Sequence, residues 1–175
     1  TGSEQFYPKN RFGFFPSIAA GFVPSEYKWW KSSMPWWSKF KLRYSDGLVG
    51  SDAASDRWLY YSYYTTSGSV ILEGEAANST AKWETARKRD LGIEMGFFKN
   101  NLKFNIDLFD EYRSGILAEP ITTFYLASNM KAANIGEMKK HGIEIEVSYN
   151  HQFSNGLEFN VSAMGSFSEN RIMKY

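Results

Sequence analysis

The chain has 175 residues, with 20 basic and 19 acidic side chains and a net charge of +1. Charge therefore gives no pull toward nucleic acid, and the length would suit one ordinary domain. Aromatic residues make up 18%, glycine occurs 14 times and cysteine is absent, which excludes disulfides and thiolate metal sites.

Mean hydropathy is −0.44, and no apolar run approaches the length of a transmembrane helix. This excludes a helical membrane protein but not a barrel, whose strands signal only by weak alternation. The first residues, Thr1-Gly2-Ser3-Glu4-Gln5, carry neither a charged n-region nor an apolar h-region, so no signal peptide is expected in this stretch.

From Arg11 to Val23, Phe12, Phe14, Ile18, Ala20 and Phe22 alternate with small or polar residues, which predicts a strand with a bulge or broken pair at Pro16. Glu26 to Ser38 gathers Trp29, Trp30, Trp36 and Trp37 around lysines. Indoles beside lysines fit a belt at the water–lipid boundary. A second strand begins at Lys39, with Phe40, Leu42 and Tyr44 on one face and Lys39, Lys41 and Arg43 on the other, and is expected to stop at Asp46-Gly47.

Leu48 to Lys82 reads as a long polar connection with an aromatic patch at Trp58, Tyr60, Tyr61, Tyr63 and Tyr64. Trp83 is expected to open the third strand, which leads into the clearest signal of the chain. Leu91, Ile93, Met95 and Phe97 fall on one face opposite Asp90, Gly92, Glu94 and Gly96; Leu102, Phe104, Ile106 and Leu108 alternate with Lys103, Asn105, Asp107 and Phe109. Lys99-Asn100-Asn101 is the predicted turn, since Asn tolerates the left-handed backbone of hairpin loops. Ser114 to Lys131, including Tyr125, forms a second long connection. A strand then carries Ile143, Ile145, Val147 and Tyr149 opposite Glu144 and Glu146. Ser154-Asn155-Gly156 turns it into a last strand through Phe159, Val161, Ala163 and Phe167.

Such alternation arises in a soluble antiparallel sheet and in a membrane barrel alike. The connections decide between them, because short turns and long loops alternate strictly, as they do in a barrel with one end in the periplasm. The expected fold is therefore all-β: an antiparallel transmembrane barrel segment of about six strands, with short periplasmic turns and long extracellular loops. Six strands are too few to close, so the chain is expected to be one arc of a larger barrel.

No catalytic constellation stands out. Glu94, Lys103, Asp107, Glu111, Glu144 and Glu146 recur at every second position of the polar faces, which fits a lumen lining better than a glycosidase acid pair. His141 and His151 stand apart without ligand-spaced partners, and Asp52 and Asp56 lack an EF-hand context, so neither a metal nor a cofactor is expected. Trp58, Tyr60, Tyr61, Tyr63, Tyr64 and Tyr125 are candidates to stack on sugar rings or to meet a lid protein, the alternative being an outer girdle or rings that hold the loop together.

Five stretches, beginning at Arg11, Phe40, Trp83, Leu91 and Asn134, resemble in order the strand motifs of SusC/RagA-like TonB-dependent outer-membrane transporters of Bacteroidetes. Among them are Leu91-Gly-Ile-Glu-Met-Gly-Phe-Phe-Lys-Asn-Asn-Leu and Asn134-Ile-Gly-Glu-Met-Lys-Lys-His-Gly-Ile-Glu-Ile. The resemblance implies a bacterial outer-membrane importer, energised through the TonB complex and capped by a SusD-like lipoprotein. Its substrate would be an oligosaccharide or, alternatively, a peptide. Residues 1–175 would be a partial barrel domain without plug or TonB box, contacting outer-membrane lipid. Two rivals predict otherwise: a soluble β-sandwich or lipocalin-like binding module needs no detergent, and a glycan-degrading enzyme shows turnover.

Overall fold

The computed structural model describes residues 1–53, 57–120 and 131–174. Its strands are β1 Ser17–Phe22, β2 Trp37–Ser51, β3 Tyr64–Ser67, β4 Val70–Glu73, β5 Glu84–Phe97, β6 Leu102–Ala118, β7 Ala133–Gln152 and β8 Glu158–Lys174, with a short helix α1 at Lys28–Ser33. Six strands form one antiparallel sheet in the order β1-β2-β5-β6-β7-β8, and β3 and β4 pair as a separate hairpin. Short turns join β5 to β6 and β7 to β8, while the β2–β5 and β6–β7 connections are long, as the sequence rhythm predicted.

Several boundaries differ from expectation. Only Ser17–Phe22 of the first predicted strand joins the sheet, because Pro16 has no N–H to give; its carbonyl still accepts from Leu48 N at 2.9 Å. The second strand runs past Asp46-Gly47 to Ser51. Asp46 is neutralised there by Arg87, and Gly47 leaves room for Ser17, whose Cβ would lie 2.8 Å from a Cβ at Gly47. The polar stretch after it contains the β3–β4 hairpin, turned at Gly68 with φ +63°. In the β5–β6 turn the left-handed residues are Phe98, Lys99 and Asn100 rather than the asparagines alone. Trp36 O accepts from Phe98 N at 2.9 Å and Ser38 Oγ from Lys99 N at 2.7 Å, so the neighbouring connection holds that backbone in place.

Antiparallel register puts directly opposed side chains on the same face, so each face can be followed row by row. On one face a row runs Phe22, Leu42, Ile93, Ile106, Ile145, Gly165, and the next runs Ala20, Tyr44, Leu91, Leu108, Ile143, Phe167. Toward the short turns the apolar rows continue through Met95, Phe104 and Val147, then Phe97, Leu102 and Tyr149. Toward the long loops the character changes within one row, to Ile18, Asp46, Arg89, Asp110, His141, Glu169.

Within this chain the apolar face of the sheet is largely uncovered. Phe167 is 69% exposed, and every residue of β8 is exposed. The accessible surface is 12511 Å², against about 8,700 Å² expected of a folded globular monomer of this mass. A soluble sandwich would bury that face against a second sheet. The small core lies instead at the long-loop end, where Phe6, Leu59, Ala81 and Ala132 pack together with Trp83 and Leu117 against them.

Candidate functional site

The opposite face of the sheet is a wall of charge. Register places Lys41, Glu94, Asn105 and Glu146 in one row, and Arg43, Gly92, Asp107, Glu144 and Ser166 in the next. Glu94 accepts from Lys39 Nζ at 2.8 Å and Lys41 Nζ at 3.1 Å, with Arg43 Nε at 3.4 Å. Arg43 also reaches across β5 to Asp107, at 2.5 Å. Gly92 makes that reach possible, since a Cβ there would stand 2.4 Å from Arg43 Nε. Glu111 pairs with Lys88 at 3.5 Å and with Arg113, and Glu146 accepts from Asn105 Nδ2 at 3.1 Å. Among the described residues, Lys103 and Glu144 have no ion-pair partner. Glu144 stands opposite Asp107, a like charge that Arg43 offsets from the other side.

These six predicted polar residues thus share one face, and the structure brings most of them together. Lys39, Arg43, Glu94, Lys103, Asn105, Asp107 and Glu146 line a depression of about 500 Å³. Asp107, Glu144, Glu146 and Met164 line a second one of about 300 Å³ beside it. Around these depressions β2 contributes the cations Lys39 and Arg43, and β7 contributes the carboxylates Glu144 and Glu146. No group of His, Cys, Asp and Glu suited to a metal ion occurs among the described residues.

At the long-loop end the aromatic patch is divided. Tyr60 stacks at a tilt on Tyr61 at 4.5 Å, meets Tyr7 edge-on at 5.9 Å, and its hydroxyl accepts from Arg11 Nη2 at 3.4 Å. Hydrogen bonding with Tyr60 raises the Tyr61 phenol above its ordinary value. Trp58 meets Tyr61 edge-on at 6.5 Å and adopts φ +54°, a conformation costing a bulky residue about 1–3 kcal/mol. Tyr63 and Tyr64 are exposed, and Tyr125 and Asp56 lie outside the described residues. Sequence reasoning missed the cations here. Lys131 is 4% exposed, donates to Tyr61 O at 2.8 Å and sits 4.2 Å from the Tyr63 ring centroid. With no periodicity around it, Lys131 carried no signal beyond its place at the end of a polar loop.

At the short-turn end the tryptophans also divide. Trp29 and Trp36 are exposed, whereas Trp30 is buried, stacked on Phe40 at 5.3 Å and donating from Nε1 to Trp37 O at 3.0 Å. Trp36 and Trp37 stack on Phe97 at 5.8 and 5.4 Å, closing the apolar face with a band of rings.

Comparison with known proteins shows the family of the chain. The family model described as TonB dependent receptor-like, beta-barrel matches residues 1–172. TonB-dependent receptor P3 of Formosa agariphila is 27% identical over 97% of this chain and 17% of its own length. TonB-dependent receptor SusC of Bacteroides thetaiotaomicron is 25% identical over 99% of this chain and 18% of its own. The chain thus spans under a fifth of the curated relatives it matches. Among solved structures, the RagAB peptide importer matches in its closed-closed state with TM-score 0.86 and 19% identity, over 99% of this chain and 20% of that one. Its open-open state also matches with TM-score 0.86 and 19% identity, over 98% and 19%. The SusC/RagA-like resemblance in the strand motifs is therefore upheld: the chain belongs to the TonB dependent receptor-like β-barrel family, as a stretch of an outer-membrane barrel.

Proposed function

We propose that this chain forms one arc of the wall of a TonB-dependent nutrient importer, which carries an oligosaccharide with a SusD-like lipoprotein as its partner. The observation that carries the reading is the two-faced sheet, with apolar rows ending abruptly at a charged row on one side and a charged wall on the other. From Phe159 to Phe167 the outer rows of β8 cover eight steps, about 27 Å along the strand. At a tilt of roughly 40° that is about 21 Å of height, close to the apolar belt of about 25 Å on outer-membrane barrels.

In this reading the apolar face meets lipid, and the wall of Glu94, Lys103, Asp107, Glu111, Glu144 and Glu146 lines the lumen. The short turns and their ring of tryptophans lie at the periplasmic boundary. The long connections reach outside the cell, where Trp58, Tyr60, Tyr61, Tyr63 and Tyr64 are positioned to meet cargo or lid. Transport makes and breaks no bond. Binding and gated passage do the work, and the energy enters through TonB acting on a plug outside this arc. The arc matches both the open-open and the closed-closed state of the RagAB fold to the same degree, which suits a fixed wall past which other parts move.

The test is uptake of labelled oligosaccharides by cells with and without the complete transporter, before and after collapse of the proton motive force. Transporter-dependent uptake that an uncoupler abolishes is the expected result. The RagAB proteins are described as a peptide importer, so labelled peptides form the second arm. Uptake of peptides alone would replace the glycan reading, and uptake of neither would end the importer reading.

A further inference from the structure

Between the two long connections lies a cavity of about 440 Å³ lined by Arg57, Trp58, Tyr63, Glu75 and Lys131. We propose that it is a subsite for a sugar ring bearing a carboxylate, with Lys131 taking the carboxylate and the Trp58 indole covering a face of the ring. The inference deepens the importer reading and rests on it, by naming the chemical class of cargo that the outer loops select.

The argument starts from the cost of burying an ammonium. Lys131 is 4% exposed, and a lysine so deeply buried ordinarily has a counter-ion. Among the described residues no carboxylate pairs with it. Its Nζ donates to one carbonyl, Tyr61 O at 2.8 Å, and lies over the Tyr63 ring at 4.2 Å. A carbonyl and a ring face stabilise a cation only in part, and an ammonium has three donors.

The position is built rather than incidental. Asn78 Nδ2 donates to Ala132 O at 2.8 Å, Lys131 N donates to Ala76 O at 3.4 Å, and Ala132 sits in the buried core of the long-loop end. The lysine therefore holds its place at the cavity wall. Arg57 is exposed at the rim and adds a second positive charge, against the exposed Glu75. Among the described lining residues two cations stand against one acid, an excess that suits a carboxylate.

The remaining wall selects the shape. Trp58 is 39% exposed with its backbone held left-handed, and its carbonyl accepts from Tyr61 N at 3.0 Å. That arrangement holds the Trp58 backbone, and its indole lines the same cavity as Lys131. A flat face sharing a cavity with a cation suits the apolar face of a pyranose with a carboxylate at its edge. The volume falls in the range of small-ligand sites.

The experiment is calorimetric binding to the complete transporter in detergent, using an α-1,4-linked tetragalacturonate, the uncharged tetragalactoside of the same linkage, and a tetrapeptide ending in glutamate. The tetragalacturonate is expected to bind roughly tenfold or more tighter than the uncharged sugar. Lys131→Gln keeps a donor for Tyr61 O but no charge, and is expected to erase that advantage while leaving the uncharged sugar unaffected. Arg57→Gln removes charge at the exposed rim, where no packing is lost, and is expected to weaken the acidic probe alone by roughly threefold. Equal affinity for the two sugars would overturn the proposal, as would equal losses for both sugars in Lys131→Gln, no effect of Arg57→Gln, or tighter binding of the peptide. If glycan uptake depends on the transporter but is blind to the carboxylate, the subsite fails and the importer stands. If uptake of every glycan is independent of the transporter, the importer reading itself fails.

Discussion

An arginine placed at Ile106 tests which face of the sheet meets lipid. Ile106 lies on the apolar face of β6, two rows from Asp110 in the charged row. Those four steps are about 14 Å along the strand, or about 10 Å of depth at a tilt of roughly 40°. In an apolar belt about 25 Å tall, that depth is near the midplane, where an arginine costs about 2–4 kcal/mol. The adjacent Asn105 points to the other face and already donates to Glu146, so Asn105→Arg exchanges one partner for an ion pair at a cost near zero. Tyr112 is back on the outer face but beyond the charged row, donating to Glu137 Oε2 at 2.6 Å, and Tyr112→Arg should cost about 0–1 kcal/mol. The assay is urea unfolding of the complete barrel in lipid vesicles, followed by tryptophan fluorescence. The expected order of destabilisation is Ile106→Arg well above Tyr112→Arg, with Asn105→Arg lowest. Equal costs at Asn105 and Ile106, or at Tyr112 and Ile106, would refute the assignment of the faces and of the boundary row.

Three further outcomes follow from single contacts. Gly92→Leu should displace the Arg43 guanidinium from Asp107 with less than about 1 kcal/mol of lost stability, because the pair is partly exposed. A crystal structure of the variant would show Asp107 and Glu144 unscreened, and an Arg43–Asp107 contact that survived would contradict the crossing. Leu59→Ala, in the buried cluster with Phe6, should destabilise the long-loop end by about 2–4 kcal/mol and leave the sheet intact. Hydrogen exchange should then rise around Leu59 and Ala81 but not in β6, and a rise in both would show that the loop core and wall unfold together. Substituting Trp58 and Tyr61 by Ala should weaken cargo or lid binding by roughly tenfold in a pull-down or titration. Unchanged binding of both would leave these rings a structural role alone.

The hairpin of β5 and β6 was legible because each arm alternates over eight residues or more, long enough for a period of two to stand out. The β3–β4 hairpin was not, since its arms are four residues each and Thr65-Thr66-Ser67 has no apolar face. Trp30 could not be told from Trp29 by sequence. Their opposite fates depend on one short helical turn that lays Trp30 on Phe40 and leaves Trp29 outside. The core at the long-loop end assembles Phe6, Leu59, Ala81 and Ala132 from four distant segments, so no local window contains its pattern. The boundary row hides for the same reason. Asp46, Arg89, Asp110, His141 and Glu169 contribute one residue per strand, and only the register shows that they lie side by side.

The division of the charged wall bears on how a solute would travel along it. Lys39, Lys41 and Arg43 stand on β2, Glu144 and Glu146 stand on β7, and three strand spacings of about 4.8 Å put roughly 14 Å between them. In open water that separation exceeds the screening length of about 8 Å, but a narrow channel between low-dielectric walls screens less and focuses field. A chain whose net charge is +1 therefore carries a sideways electric dipole across this face. In the importer proposed above, a polar cargo would feel a torque as well as an attraction, and would descend with one flank turned toward β2.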